Sequence, residues 1–496
     1  MKRWMLAAAT LLLCLSAAAA QAITITGLES ESVSREWENN AFFPRMRELT
    51  GVEMLPRGMD EEKEYAAAID AMMGGKLPAD VLFKAALSRE TEIALLDAGA
   101  IIDLAPLIEE NMPNLSALLN AHPDWRRSIT LQDGRIASLP QLSETERQVC
   151  VWINRAWLEK LGLPMPQTVD ELTAALLAMK TRDPNGNYDA DEVAADLTGV
   201  YEMRWLLPFF GVVADDYNLA RDAQGEIVFA PELSQYRAFV ETLRGWYEQG
   251  ILTSEAFTGL HSTQTYMASS SKSDEPVTSG LIVTVAPYTH IAANAVLDFE
   301  PLLIAGPDGS VRWRDLLGGV WTGCFAVTAS CEDPAAALRW ADALYAEAGA
   351  LLAYAGVEGE DYTVGESGDW SFIVDDLRTV ETIRAETIIY TGEIMPGLVP
   401  NDFLRRADSE IDRYVIEHGA RVQEVAERVT IPYALGQAEQ ARANELAAVI
   451  GGLVDRGIAR FVTGELELSD ENWNEWLASL REAGSEELTA LFQAAK

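Results

Sequence analysis

Between residues 23 and 98 short apolar strands and amphipathic helices alternate, and that order leaves few folds open. Ile23 to Thr26 alternates apolar and polar residues and reads as a first strand. Trp37 to Leu49 reads as a helix ending at Thr50-Gly51, and Val52-Glu53-Met54 is a second short strand. Glu61 to Met73 places Tyr65, Ile69 and Met72 on one helical stripe, and Gly74-Gly75 stops it. Ala79 to Phe83 is a strand and Glu90 to Ala98 a helix. Repeated strand–helix units require a parallel sheet with crossover helices, so the class is α/β.

At 496 residues the chain exceeds one ordinary core, so two lobes are expected. The second half of the pattern supports this. Val149 to Ile153 is a strand, Asn154 to Leu161 a helix, and Gly162 its stop. Thr168 followed by Glu171 has the form of a capping box. Gly280 to Pro287 and Val320 to Ser330 are apolar strands, and Pro334 opens a helix running to Ala348. Asp133-Gly134 predicts a hairpin-like step between Ile129–Leu131 and Ile136–Ser138. The region after Gln437 is mostly helical.

Composition sets the partners. A formal net charge of -39 repels phosphate backbones and anionic lipid, so nucleic acid is not an expected partner. Lys2 and Arg3, the apolar run from Trp4 to Ala20, and Ala20-Gln21-Ala22 together form a secretory leader over residues 1–22, with a mature start at Ile23. An uncleaved anchor is the alternative; Cys14 is preceded by Leu13, where a lipoprotein signal needs a small residue. The product is therefore expected outside the cytoplasm, in the periplasm or at the cell surface. Cys150, Cys324 and Cys331 remain, an odd number. Cys324 and Cys331 bracket a strand whose ends lie roughly 20 Å apart, beyond disulfide reach. Buried, unreactive thiols are expected.

The loop Asp183-Pro184-Asn185-Gly186-Asn187-Tyr188-Asp189-Ala190-Asp191-Glu192 alternates oxygen-bearing side chains in the way a hard cation needs. Asp183, Asp191 and Glu192 are assigned as carboxylate ligands of a structural Ca²⁺, Asn185 and Asn187 as amide ligands, and Asp189 through its carbonyl. The twelfth position, where an EF-hand loop carries a bidentate Glu, is Ala194. The competing reading is a solvated acidic turn.

Several runs carry a family likeness. They are Gly75-Lys76-Leu77-Pro78-Ala79-Asp80-Val81, Asp97 to Leu104, Trp152 to Pro164, Pro166 to Leu172 and Phe461-Val462-Thr463-Gly464-Glu465. Together with the acidic loop they resemble the maltose-binding-like solute-binding proteins of carbohydrate-type ABC importers, in particular the calcium-loop alginate and oligosaccharide receptors. The resemblance implies a two-lobed periplasmic-binding-protein-like fold (type II), each lobe a mixed sheet flanked by helices, joined by hinge crossovers. It implies lobe one at 23–141 plus 292–335 and lobe two at 142–291 plus 336–496. It also implies an oligosaccharide ligand, membrane permease subunits as partners, a monomer, and no enzymatic role.

Sugars are held by aromatic faces and polar edges. Trp205, Tyr288, Trp321 and Trp370 are the aromatic candidates for the cleft, and Glu29 and Lys84 the polar ones, each weighed against packing or a solvated loop charge. Other readings are the same fold binding a peptide or serving as a sensor subunit. A secreted glycan-active enzyme is a further alternative, for which Glu358, Glu360 and Asp361 qualify by residue type alone.

Overall fold

Strand Ile23–Glu29 lies between Val52–Gly58 and Val81–Phe83, parallel to both, with Ile23 opposite Val52 and Gly27 opposite Val81. The computed structural model describes residues 23–29, 39–58, 62–131, 133–144, 148–257, 277–315, 319–390, 395–407, 409–430 and 435–495. The leader, residues 1–22, and the Glu29 side chain lie outside what is described. Gly51, at φ 73°, closes helix Phe42–Thr50 and returns the chain to a strand within one residue. Strand Val320–Val327 then adds antiparallel to Val81–Phe83 and pairs on its other side with Leu139–Leu142; Gly397–Leu398 completes a six-stranded mixed sheet. Trp340, fully buried on helix Pro334–Asp342, sits against Phe83 and Phe325 in this first core.

A second, four-stranded sheet runs in the order Phe299–Pro301, Cys150–Asn154, Ser279–Thr284, Val193–Asp196. Asn154 ends its strand and caps the next helix, Arg155–Leu161, its amide oxygen accepting the Trp157 N–H at 3.0 Å. Thr168 caps helix Val169–Thr181 as expected, but Glu171 reaches back to the N–H of Gln167 rather than of Thr168. The three cysteines are free thiols, and burial pushes each of them up, Cys331 to about 11.

The lobes divide the chain differently from the expected boundaries. Phe299–Pro301 forms the edge of the second sheet, and Phe299 and Trp313 are buried in its core, so 292–315 belongs to lobe two. Conversely, helix Pro334–Asp342 and the described residues that follow it to Leu404 pack into the first lobe. The chain thus crosses between lobes after Leu142, after Asp315 and between Ala407 and Ile411. The late segment joins helices Phe42–Thr50, Ala105–Asn111, Pro113–Ala121 and Pro123–Ile129 in the same core of the first lobe. Near Asp133-Gly134 the turn forms, with Leu131 donating to the Arg135 carbonyl at 2.8 Å, but no strands flank it. Ile129 ends a helix instead, and the N–H of Ile136 goes to Asp103.

Gly323 fixes how the loop after strand Val81–Phe83 lies on strand Val320–Val327. It sits at φ 75° in the irregular part of strand Val320–Val327, and its carbonyl accepts the N–H of Leu87 at 3.1 Å. A Cβ there would stand 2.1 Å from the Leu87 carbonyl oxygen. Gly323→Ala should therefore cost about 2–4 kcal/mol, from left-handed strain and overpacking together. Urea unfolding measures it; a loss under ~0.5 kcal/mol, the range of a neutral surface change, would count against this contact.

Candidate functional site

The chain after strand Val81–Phe83 bends over strand Val320–Val327 and delivers Ser88, Arg89 and Glu90 to a cavity of about 320 Å³. Val320 adds to the same wall. The opposite wall belongs to lobe two: Asp215, Asp216 and Tyr217, then Arg314 and Asp315 at the second crossing. Glu427 to Thr430 close one side, with Gln440 and Asn444 of helix Gln437–Thr463 beyond them. The cavity therefore lies between lobes and outside the carboxyl end of strand Val81–Phe83, where open α/β sheets place ligands.

Its arginines are held in place by carboxylates. Arg314 pairs with Asp216 at 2.7 Å and lies over the Trp205 ring at 4.9 Å. Arg428 forks onto Asp315 at 3.0 and 3.2 Å. Arg89 is 3.0 Å from Glu92, which is fully buried and also accepts from Ser138; burial lifts the Glu92 carboxyl above its ordinary value. Tyr217 receives the Gln440 amide at 2.8 Å, donates to Asn444 at 3.3 Å, and rests against Phe492. Asp215 accepts the N–H groups of Tyr217 and Leu219 and the Thr430 hydroxyl, each at 3.0 Å. Burial nevertheless pushes it up to about 6, against these hydrogen bonds and the charge of Arg314.

Of the six residues expected in the cleft, the Glu29 side chain lies outside the described residues, and none of the other five lines this cavity. Trp205 is 1% exposed, stacked on Trp313 at 6.3 Å, and supports the wall by carrying Arg314. Trp370 is enclosed in a satellite cluster, stacked on Phe403 at 4.5 Å with its N–H on the Phe403 carbonyl. These two are packing residues. Tyr288 is half-buried beside Ala286 and Val415. Trp321 follows Val320 directly, and Lys84, buried at φ 49°, begins the loop that ends in Ser88–Glu90, so both stand on the segments that build the wall. The arginines and aspartates of the wall escaped sequence reading because Trp313-Arg314-Asp315 was not recognised as a crossing. Of the three residues considered for glycan hydrolysis, Asp361 is fully buried between Arg45 and Arg378, and Glu360 pairs with Arg45.

The acidic loop lies elsewhere, at the start of strand Val193–Asp196. Asp183 accepts the N–H groups of Gly186 and Tyr188, Asn185 that of Asn187, and Asn187 that of Asp189. The Asn185 and Asn187 amides donate to the two oxygens of Asp191 at 2.9 Å each. Glu192 is 2% exposed, and its Oε1 has no hydrogen-bond partner among the described residues. Burial, with Asp191 and Asp183 nearby, raises its carboxyl above the ordinary value. These mixed donors suit a hard cation. Among the described residues no three Asp, Glu, His or Cys side chains gather closely enough to cage a metal on their own.

Residues 61–351 match the family model described as bacterial extracellular solute-binding protein. The fructooligosaccharide ABC transporter substrate-binding protein FusA of Streptococcus pneumoniae is 30% identical over 275 residues, 53% of this chain. That match spans about half the length of the curated relative, 50%. FusA solved as an EF-hand mutant with fructo-nystose superposes at a TM-score of 0.73 and 21% identity, covering 95% of this chain and 98% of that one. A solute-binding protein from Bifidobacterium longum infantis, described as binding HMO, reaches a TM-score of 0.79 at 17% identity, covering 95% and 98%. The alginate-binding protein AlgQ2, solved without calcium ion, reaches 0.70 at 20%, covering 96% and 98%. At these identities the structural likenesses establish the two-lobed fold.

The raised Asp215 carboxyl has a consequence for stability. A carboxyl raised in the folded state adds stability below its ordinary value, near 4, and loses it as pH rises through about 6. Asp215→Asn should therefore gain stability relative to the parent between pH 4 and 7. Paired denaturation curves across that range measure it, and a difference independent of pH would contradict the assignment.

Proposed function

The chain belongs to the bacterial extracellular solute-binding proteins, and from that membership we propose that it captures an oligosaccharide between its lobes and delivers it to the permease of an ABC importer. The observation that carries this reading is a cavity walled by both lobes at once and lined by hydrogen-bonding side chains. Such a site is completed by closure, so ligand binding and lobe movement are coupled. The relatives named for fructooligosaccharide and HMO support a glycan as the solute. Binding without turnover, action as a monomer, and cleavage of the leader after Ala22 belong to the same reading. No helix among the described residues is long and apolar enough to cross a membrane. Small-angle scattering of the purified protein should show compaction when a bound oligosaccharide is added. Thermal unfolding should shift upward with it, by about 2.7 kcal/mol at a hundredfold excess over Kd. No compaction and no shift across a broad glycan panel would overturn the proposal.

We further propose that loop 183–192 holds a structural Ca²⁺, as its alternating donors suggest. Asp183, Asp191 and Glu192 would give carboxylate oxygens, Asn185 and Asn187 amide oxygens, and Asp189 its carbonyl. The buried, unpartnered Glu192 Oε1 supports this, because a bound cation offsets the cost of burying that charge. The solved relatives described as an EF-hand mutant and as lacking calcium ion point the same way. EDTA should lower the melting temperature and Ca²⁺ restore it, while Asp183→Ala and Glu192→Gln should each abolish that response. A melting temperature indifferent to both reagents would exclude the site.

A further inference from the structure

The charges around the interlobe cavity say more about its occupant than the fold does. Five carboxylates, those of Glu90, Asp215, Asp216, Asp315 and Glu427, line it against the three guanidiniums of Arg89, Arg314 and Arg428. Each guanidinium is already engaged by a carboxylate: Arg314 by Asp216 at 2.7 Å, Arg428 by Asp315 at 3.0 Å, Arg89 by Glu92 at 3.0 Å. The wall thus carries a surplus of negative charge and places no cation that a ligand carboxylate would find uncontested. A cationic solute meets the same three guanidiniums. The remaining polar side chains are uncharged: the Ser88, Tyr217 and Thr430 hydroxyls and the Gln440 and Asn444 amides.

We propose that the solute is an uncharged oligosaccharide and that this wall excludes acidic ones built from uronic acids. The inference rests on the glycan reading above and narrows it. A sugar hydroxyl both donates and accepts, so one hydroxyl can donate to a wall carboxylate and accept from the guanidinium beside it. Alternating paired charges therefore satisfy a neutral polyol without leaving a buried charge unmatched. A uronate brings acceptor-only charge against a surface already rich in it, and like-charge contact at a desolvated interface costs several kcal/mol. At about 320 Å³ the cavity is at the small end of ligand pockets, which suits one terminal portion of a short chain.

Calorimetry of the full mature protein would compare neutral trisaccharides and tetrasaccharides of the fructan and milk-glycan types with trimers of alginate and of polygalacturonate. Neutral sugars should bind and acidic ones should bind at least about a hundredfold more weakly. The double variant Asp216→Asn, Glu427→Gln removes two wall charges, and the acidic-to-neutral affinity ratio should rise by about tenfold or more. Circular dichroism of the variant confirms that it folds. A parent protein preferring an acidic trimer would overturn the charge argument while leaving the glycan reading intact. An unchanged ratio in the folded variant would also overturn it. Failure of every glycan to bind the parent would overturn both.

Discussion

Arg314 stands where the chain leaves the second lobe for the first, and three separate contacts converge on it. Its carbonyl accepts the amide of Gln148, a fully buried residue at the first crossing that also reaches Gln423. Its guanidinium covers Trp205 and pairs with Asp216. One residue thus joins two crossings, seals the second core and orients an acid of the cavity wall. Because Trp205 and Trp313 stack beneath it, the charge is carried on a rigid apolar base rather than on a loose loop. The interlobe surface is positioned by packing and charged by the residues at its edge.

The first lobe meets this surface through a similar economy of parts. Gly323 lets the loop from Lys84 to Ser88 lie directly on strand Val320–Val327, and Ser138 links the Gly323 N–H to buried Glu92. Glu92 in turn holds Arg89. A backbone conformation open to glycine is thereby connected, through two hydrogen bonds and an ion pair, to a guanidinium at the cavity.

Much of the architecture was legible in the chain because it depends on local chemistry. The first three strands and their crossover helices follow from apolar periodicity, and Gly51, Asn154, Gly162 and Thr168 act as stops and caps where their residue types predict. The lobe boundaries were not legible. Whether helix Pro334–Asp342 joins the first core or the second depends on the neighbours it meets, Phe42, Phe83 and Phe325 around Trp340, a property of the assembled lobes rather than of the helix. The same holds for the aromatic residues. Trp205 and Trp370 have the chemistry to stack on a sugar, but each is claimed by nearer apolar neighbours, Trp313 and Phe403. The charged residues of the cavity come from segments far apart in the chain, Arg89–Glu90, Asp215–Asp216, Arg314–Asp315 and Glu427–Arg428, and no spacing rule links them.

The three crossings leave neither lobe as an unbroken piece of chain. Helix Ser234–Glu248 waits for its cover until Gln437–Thr463 arrives, and Phe461 then packs with Trp473 and Trp476. A chain stopped before residue 437 therefore carries every segment of the first lobe but only part of the second core, so the second lobe alone depends on the sequence from Gln437 onward.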